Sequence, residues 1–123
     1  MDRPLVGRTV LVVEDEPLIA LDIVHGLAEA GARVVSARTL PDALNKAQEL
    51  ELSAAVLDHK LSSDDTSEVC AALERRNIPF VLYSGFSRLD GACGRAAIVA
   101  KPASPHVLVS TLVGLLRSRP IAN

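Results

Sequence analysis

Large aromatic side chains are nearly absent. Phe80, Tyr83 and Phe86 are the whole set in 123 residues, and there is no tryptophan. The core must therefore be aliphatic, and the stacking platforms that single-stranded nucleic acids use are missing. A net charge of −2 leaves no basic footprint for DNA or RNA. The two cysteines, Cys70 and Cys93, lack metal-ligand spacing and suggest no disulfide framework. They read as small buried or half-buried residues. No apolar run is long enough to span a bilayer, and Met1-Asp2-Arg3-Pro4-Leu5 has no signal-peptide pattern. A soluble, cytoplasmic protein with reduced thiols is the default expectation, with neither membrane nor nucleic acid as a partner.

Hydrophobic residues make up 49% of the chain, which places it among globular proteins. Its length suits one domain with a real core, here residues 1–123. Thr9-Val10-Leu11-Val12-Val13 has no polar alternation, as expected of a strand covered on both faces. Pro17 can open a helix, with Ala20, Leu21, Val24, Leu27 and Ala28 inward and Asp22, His25 and Glu29 outward. Arg33 to Ala37 reads as a shorter, more polar strand towards an edge. Thr39 caps a second helix, with Asp42 reaching back as in a capping box. Ala54 to Asp58 is a buried strand, and a third helix runs from about Asp65 to Arg76. Phe80 to Tyr83 and Ala96 to Ala100 are two further strands. Between them, Phe86 to Arg95 reads as a loop with at most a short fourth helix. Ser104-Pro105 starts the last helix, which runs to about Ser118.

Strands and helices thus alternate five times with short connections. Right-handed crossovers then make every strand parallel. The expected fold is α/β, a doubly wound five-stranded parallel sheet of flavodoxin-like order 2-1-3-4-5, with ligands beyond the C-terminal strand ends. The residues that end the strands are polar: Glu14-Asp15-Glu16, Asp58, Ser84-Gly85 and Lys101-Pro102. Three acids at one rim, Glu14, Asp15 and Asp58, repel unless a cation or a proton intervenes. All-oxygen ligation with room for water suits Mg²⁺, or Mn²⁺, better than zinc. Lys101 would add an ammonium and Ser84 a hydroxyl. An acid nucleophile, a divalent cation, a cationic clamp and a hydroxyl donor are the parts of a phosphoryl-transfer site.

Val12-Val13-Glu14-Asp15-Glu16-Pro17, Leu57-Asp58, Tyr83-Ser84-Gly85 and Ala100-Lys101-Pro102 resemble the four signature sites of two-component response-regulator receiver domains. The similarity covers about residues 7 to 118. It implies that Asp58 is the phosphoacceptor. Asp15 would ligate magnesium directly, Glu14 through water, and Lys60 with its backbone carbonyl. Ser84 and Lys101 would each bind a phosphoryl oxygen. Pro102 would hold the lysine loop, through a cis Lys101–Pro102 bond. The phosphoryl donor implied is the phosphohistidine of a sensor histidine kinase or of a histidine phosphotransfer protein, and output would pass to a downstream protein partner. Self-catalysed transfer and autodephosphorylation, not turnover of an outside substrate, are expected.

Two departures stand out. Receivers usually carry Tyr or Phe three residues before the signature lysine; Ile98 stands there. Ser84-Gly85-Phe86 instead resembles an atypical subgroup of single-domain receivers with the aromatic after the hydroxyl residue. Lys60 and Phe86 also flank the expected route of the hydrolytic water. Alternatives remain: an unphosphorylated pseudo-receiver that acts as a binding module, a receiver fragment of a longer regulator, or a phosphohydrolase. The last needs a second acid where Lys60 stands. His25, His59 and His106 receive no role. In the last helix, apolar residues span more of the wheel than covering a sheet requires. The surplus, Val109, Val113 and Leu116, faces either a thick core or a partner, such as a second copy in a dimer through this helix.

Overall fold

The computed structural model describes residues 3–58, 66–84, 97–100 and 104–117, with only the backbone described at Ser84, Ile98 and Ala100. The elements are β1 (Thr9–Val13), α1 (Pro17–Glu29), β2 (Arg33–Ala37), α2 (Leu40–Glu49), β3 (Ala54–Asp58), α3 (Ser67–Arg75), β4 (Phe80–Ser84), β5 (Ala97–Ala100) and α4 (Pro105–Arg117). All strand pairs are parallel, in the order β2-β1-β3-β4-β5. The α/β flavodoxin-like reading holds. The segment expected to carry a short fourth helix lies outside the described residues.

Side chains alternate across the sheet, as the two-residue strand period requires. Leu11, Val13, Leu57 and Leu82 point to one face, where Ala43 and Ala47 of α2 and Val69 and Leu73 of α3 cover them. Val10, Val12, Val56 and Val81 point to the other, under Ile23 and Leu27 of α1 and Leu108 and Leu112 of α4. β1 and β3 are therefore sandwiched, which is why they read as continuous apolar runs. β2 is an edge strand, as its polar content suggested.

The face of α1 differs from the sequence reading. Ile23 and Leu27 are its buried residues, while Leu21 is 65% exposed and Ala28 is also exposed. Leu18 to Val24 is apolar on nearly every side of the helix, so spacing alone does not select the inner stripe. Asp42 also differs. Thr39 Oγ1 accepts from the Asp42 N–H at 3.3 Å, but the Asp42 carboxylate pairs with Lys46 Nζ at 2.9 Å and does not reach back. The i,i+4 ion pair on the helix surface takes the group the capping box would have used.

Cys70 lies fully buried on α3, as its reading as a small buried residue expected, but it is disulfide-bonded, which corrects the expectation of reduced thiols. Whether two thiols can bond depends on Cα separation, which spacing in sequence does not reveal. At the end of α3, Arg76 Nη1 donates to the carbonyls of Ala47 and Leu50, each at 2.7 Å, and so closes the C-terminus of α2. Asn77 follows with φ of 56°, the left-handed stop that Asn tolerates.

Gly26 has a packing reason that its sequence context hides. A Cβ there would lie 2.7 Å from the Cβ of Pro105, the first residue of α4. The two helices meet at this point because the position carries no side chain. Helix propensity alone predicts that Gly26→Ala stabilises the chain by about 1 kcal/mol. The Pro105 ring cannot swing aside, and overpacking costs about 1–3 kcal/mol. We therefore expect urea denaturation to show Gly26→Ala less stable than the parent chain, with Gly26→Val lower still.

Candidate functional site

The acids meet because the strands that carry them are neighbours in register. Val13 of β1 pairs with Leu57 of β3, so Glu14 emerges beside Asp58. The Glu14 N–H donates to the Ala37 carbonyl at 3.1 Å, which extends the β1–β2 ladder one step beyond the strand. The chain then turns. Glu14 Oε2 accepts from the Glu16 N–H at 3.0 Å, and Glu16 Oε1 accepts from the Leu18 N–H at 3.4 Å. Glu16 is thus the N-cap of α1, with Pro17 in its first turn.

Glu14 is 2% exposed, Asp58 is 5% exposed and Asp15 is half-buried. One carboxylate oxygen from each lies within 4.8 Å of the others. Opposite ligands on an octahedral magnesium are about 4.2 Å apart, from bond lengths of about 2.1 Å. The cluster therefore has the right size for a small dication, with one acid held through a water. The donor set is all oxygen, as a hard cation requires. These three side chains fit the magnesium site read from the sequence.

β4 brings Ser84 to the same rim. Tyr83 pairs with Asp58, and Ser84 is one residue further along. Ser84 in turn pairs with Ala100, the last residue of β5, immediately before Lys101 in the sequence. Lys60, Gly85, Phe86, Lys101 and Pro102 lie outside the described residues. So do the Ser84 hydroxyl and the side chain of Ile98. The structure thus brings together Glu14, Asp15 and Asp58, and aligns the backbone of Ser84 with them. His25 and His106 are exposed helix residues, away from this rim. Among the described residues, no helix is long and apolar enough to cross a membrane.

No family model matches the chain. It is 28% identical to the alkaline phosphatase synthesis transcriptional regulatory protein PhoP of Bacillus subtilis, over 94% of this chain but 51% of that protein. The chain spans about half the length of this relative. Among solved structures, a receiver protein from Sinorhizobium medicae superposes with a TM-score of 0.81 at 24% identity, covering 94% of this chain and 98% of that one. A CheY-like receiver domain from Methanospirillum hungatei gives 0.79 at 23% identity, covering 89% and 94%. The receiver domain of sensor histidine kinase PA1611 from Pseudomonas aeruginosa gives 0.78 at 21%, covering 90% and 98%; it carries a magnesium ion in its active-site cleft.

Carboxylates a few ångströms apart at a partly buried rim repel by on the order of a few kcal/mol per pair at an effective dielectric of 20. Neutralising one should relieve that cost when no cation is present. We expect Asp15→Asn, measured by thermal denaturation in EDTA, to be more stable than the parent chain by on the order of 1 kcal/mol. Adding magnesium should raise the parent's midpoint and leave the variant's nearly unchanged. Equal responses to magnesium would show that the three acids do not act as one site. Fold and rim agree: this chain has the fold of response-regulator receiver domains, with its three acids gathered where the strands end.

Proposed function

We propose that the chain is a phosphoacceptor signalling domain of a two-component or phosphorelay system, with Asp58 as the acceptor. The observation that carries this reading is the clustering of Glu14, Asp15 and Asp58 at the C-terminal rim of a receiver fold. Asp58 ends a strand that is paired on both sides, so its carboxylate is held in place before any donor arrives.

In the proposed step, an Asp58 oxygen attacks the phosphorus of a phosphohistidine. The P–N bond breaks, an aspartyl phosphate forms, and the departing imidazole nitrogen keeps the bonding pair and takes a proton from solvent. Bound magnesium, held by Asp15, Asp58 and the Lys60 carbonyl and by Glu14 through water, would offset charge on the phosphoryl oxygens. Lys101 and Ser84 would each hold one of those oxygens, as the resemblance implies. Phosphorylation replaces the single negative charge of the Asp58 carboxylate with the roughly two of an acyl phosphate. The Ser84-Gly85-Phe86 stretch is the element proposed to respond, since Ile98 occupies the usual aromatic position.

The phosphoryl donor must bring its histidine to the same rim. Leu18, in the first turn of α1, is 75% exposed beside the acids, and Leu21 is 65% exposed one turn on. Exposed apolar side chains at the mouth of a site suit docking against another protein. A sensor histidine kinase or a histidine phosphotransfer protein is the partner class that fits, and output is proposed to pass to a downstream protein. The proposed role includes self-catalysed hydrolysis of the acyl phosphate but no turnover of an outside substrate.

Acetyl phosphate with magnesium should add one phosphoryl group to the chain, read by intact-mass spectrometry or a phosphate-affinity gel. Asp58→Ala should abolish the adduct, and Lys101→Ala should slow its formation by roughly a hundredfold. The same label should transfer from a phosphorylated histidine kinase. If the parent chain takes no phosphate from either donor, it is a pseudo-receiver binding module and the proposed acceptor role falls.

A further inference from the structure

The two ends of the sheet differ in charge, which a net charge of −2 conceals. Glu14, Asp15 and Asp58 gather where the strands end. Arg3, Arg8, Arg33 and Arg117 gather at the base, where β1 and β2 begin and α4 finishes. The Arg33 N–H donates to the Arg8 carbonyl at 2.9 Å, so these two are neighbours across the β1–β2 ladder. A turn brings Arg3 beside them. Fully buried Leu5 anchors it by donating its N–H to the Ala30 carbonyl at 2.8 Å, and the Val6 N–H donates to the Arg3 carbonyl at 3.2 Å. Gly31 has φ of 101°, and a Cβ there would stand 2.5 Å from Val6 Cγ2 and 3.2 Å from Arg3 Cβ. The turn rests on the α1–β2 connection because position 31 carries no side chain. Arg117 and Pro4 border the same groove between α1 and α4. Val109, Val113 and Leu116 of α4 are partly buried against the core, so the apolar surplus of that helix serves the core.

We propose that this base is a docking surface for an extended acidic segment of a partner protein. Arg3, Arg33 and Arg117 are exposed and Arg8 is half-buried. Among the described residues the ion pairs are His25–Glu29, Lys46–Asp42 and Arg76–Glu51, so none of the four has a carboxylate partner there. Arg117 also faces the dipole at the end of its own helix, but Arg3, Arg8 and Arg33 lie on no helix. Every basic residue of the patch is arginine, whose planar fork matches a carboxylate through two hydrogen bonds. The shape of the patch selects the occupant. Arg33 pairs with Thr9, so its side chain leaves the sheet on the Thr9 side and that of Arg8 on the other. The patch is therefore a strip across the end of the sheet, not a pocket. Carboxylates spaced along a chain match a strip, whereas a single small anion would not reach all four arginines. Val6, 62% exposed, stands in the strip and offers an apolar contact to such a chain. A bilayer fits less well, because interfacial binding buries a broad apolar face.

The strip lies at the opposite end of the sheet from Asp58, so it does not depend on the phosphoacceptor reading. Fluorescence anisotropy of a labelled peptide of alternating Glu and Leu, titrated with the full chain, tests it. Binding that weakens as salt rises is expected. Arg3→Glu and Arg33→Glu should each weaken it by roughly tenfold, and Arg33→Gln, which adds no acid, should weaken it in the same direction. Val6→Ser should weaken it by roughly threefold. Arg38→Glu, at the other end of β2, should bind within about twofold of the parent. A peptide that does not bind, or that loses as much affinity for Arg38→Glu as for Arg33→Glu, overturns the surface. So does tighter binding of inorganic polyphosphate or of phosphatidylglycerol vesicles than of the peptide, which would assign the arginines to phosphate. A chain that binds the peptide but accepts no phosphate overturns the acceptor reading alone.

Discussion

Three carboxylates held within 4.8 Å at the ends of two buried strands repel one another, and the chain cannot spread them apart without giving up its core. β1 and β3 are covered on both faces and pair residue by residue, so Val13 lies beside Leu57 whatever the acids beyond them prefer. Burial along these strands opposes the repulsion at their ends. Five fully buried residues, Val10, Leu11, Val12, Val56 and Leu57, each contribute about 1.5–3 kcal/mol of transfer free energy. The core thus holds the three acids together, at a spacing that fits a small cation.

The same balance explains what could be read from the sequence. A strand buried on both faces has to be a continuous apolar run, and an acid that breaks such a run is visible at once. Glu14, Asp15 and Asp58 stood out for that reason, and parallel pairing was enough to bring them together. Contacts between distant residues were not legible. Gly26 and Pro105 touch across 79 positions, and nothing near either residue announces it. The disulfide at Cys70 is hidden in the same way. The inner face of α1 was misplaced because Leu18 to Val24 is apolar almost all round, and only the sheet decides which side is covered. The Asp42 side chain had two local partners to choose from, and the choice of Lys46 over the cap depended on geometry that composition does not carry.

The two faces of the sheet divide the remaining work. On one side α2 and α3 are tied together, through Arg76 and the shared cluster around Leu73. On the other side α1 and α4 meet closely at Gly26 and then part. A tight contact followed by divergence is what a glycine at the crossing point produces, because the helices pivot there.

Under the proposed reading, the three acids are not interchangeable, and their anchoring explains why Asp58 should be the acceptor. Glu14 already spends one oxygen on the Glu16 N–H, which fixes the start of α1; modifying it would loosen the helix. Asp15 sits in the turn between Glu14 and the cap, half-buried, where its carboxylate can face both solvent and the other acids; that suits a cation ligand. Asp58 is the last residue of a central strand, with Tyr83 of β4 as its pairing neighbour, so the sheet fixes the backbone that carries its carboxylate. A nucleophile gains most from fixed position, because orientation entropy is then paid in folding and not in the transfer step. The acid whose backbone the central sheet fixes is the one placed to form the bond.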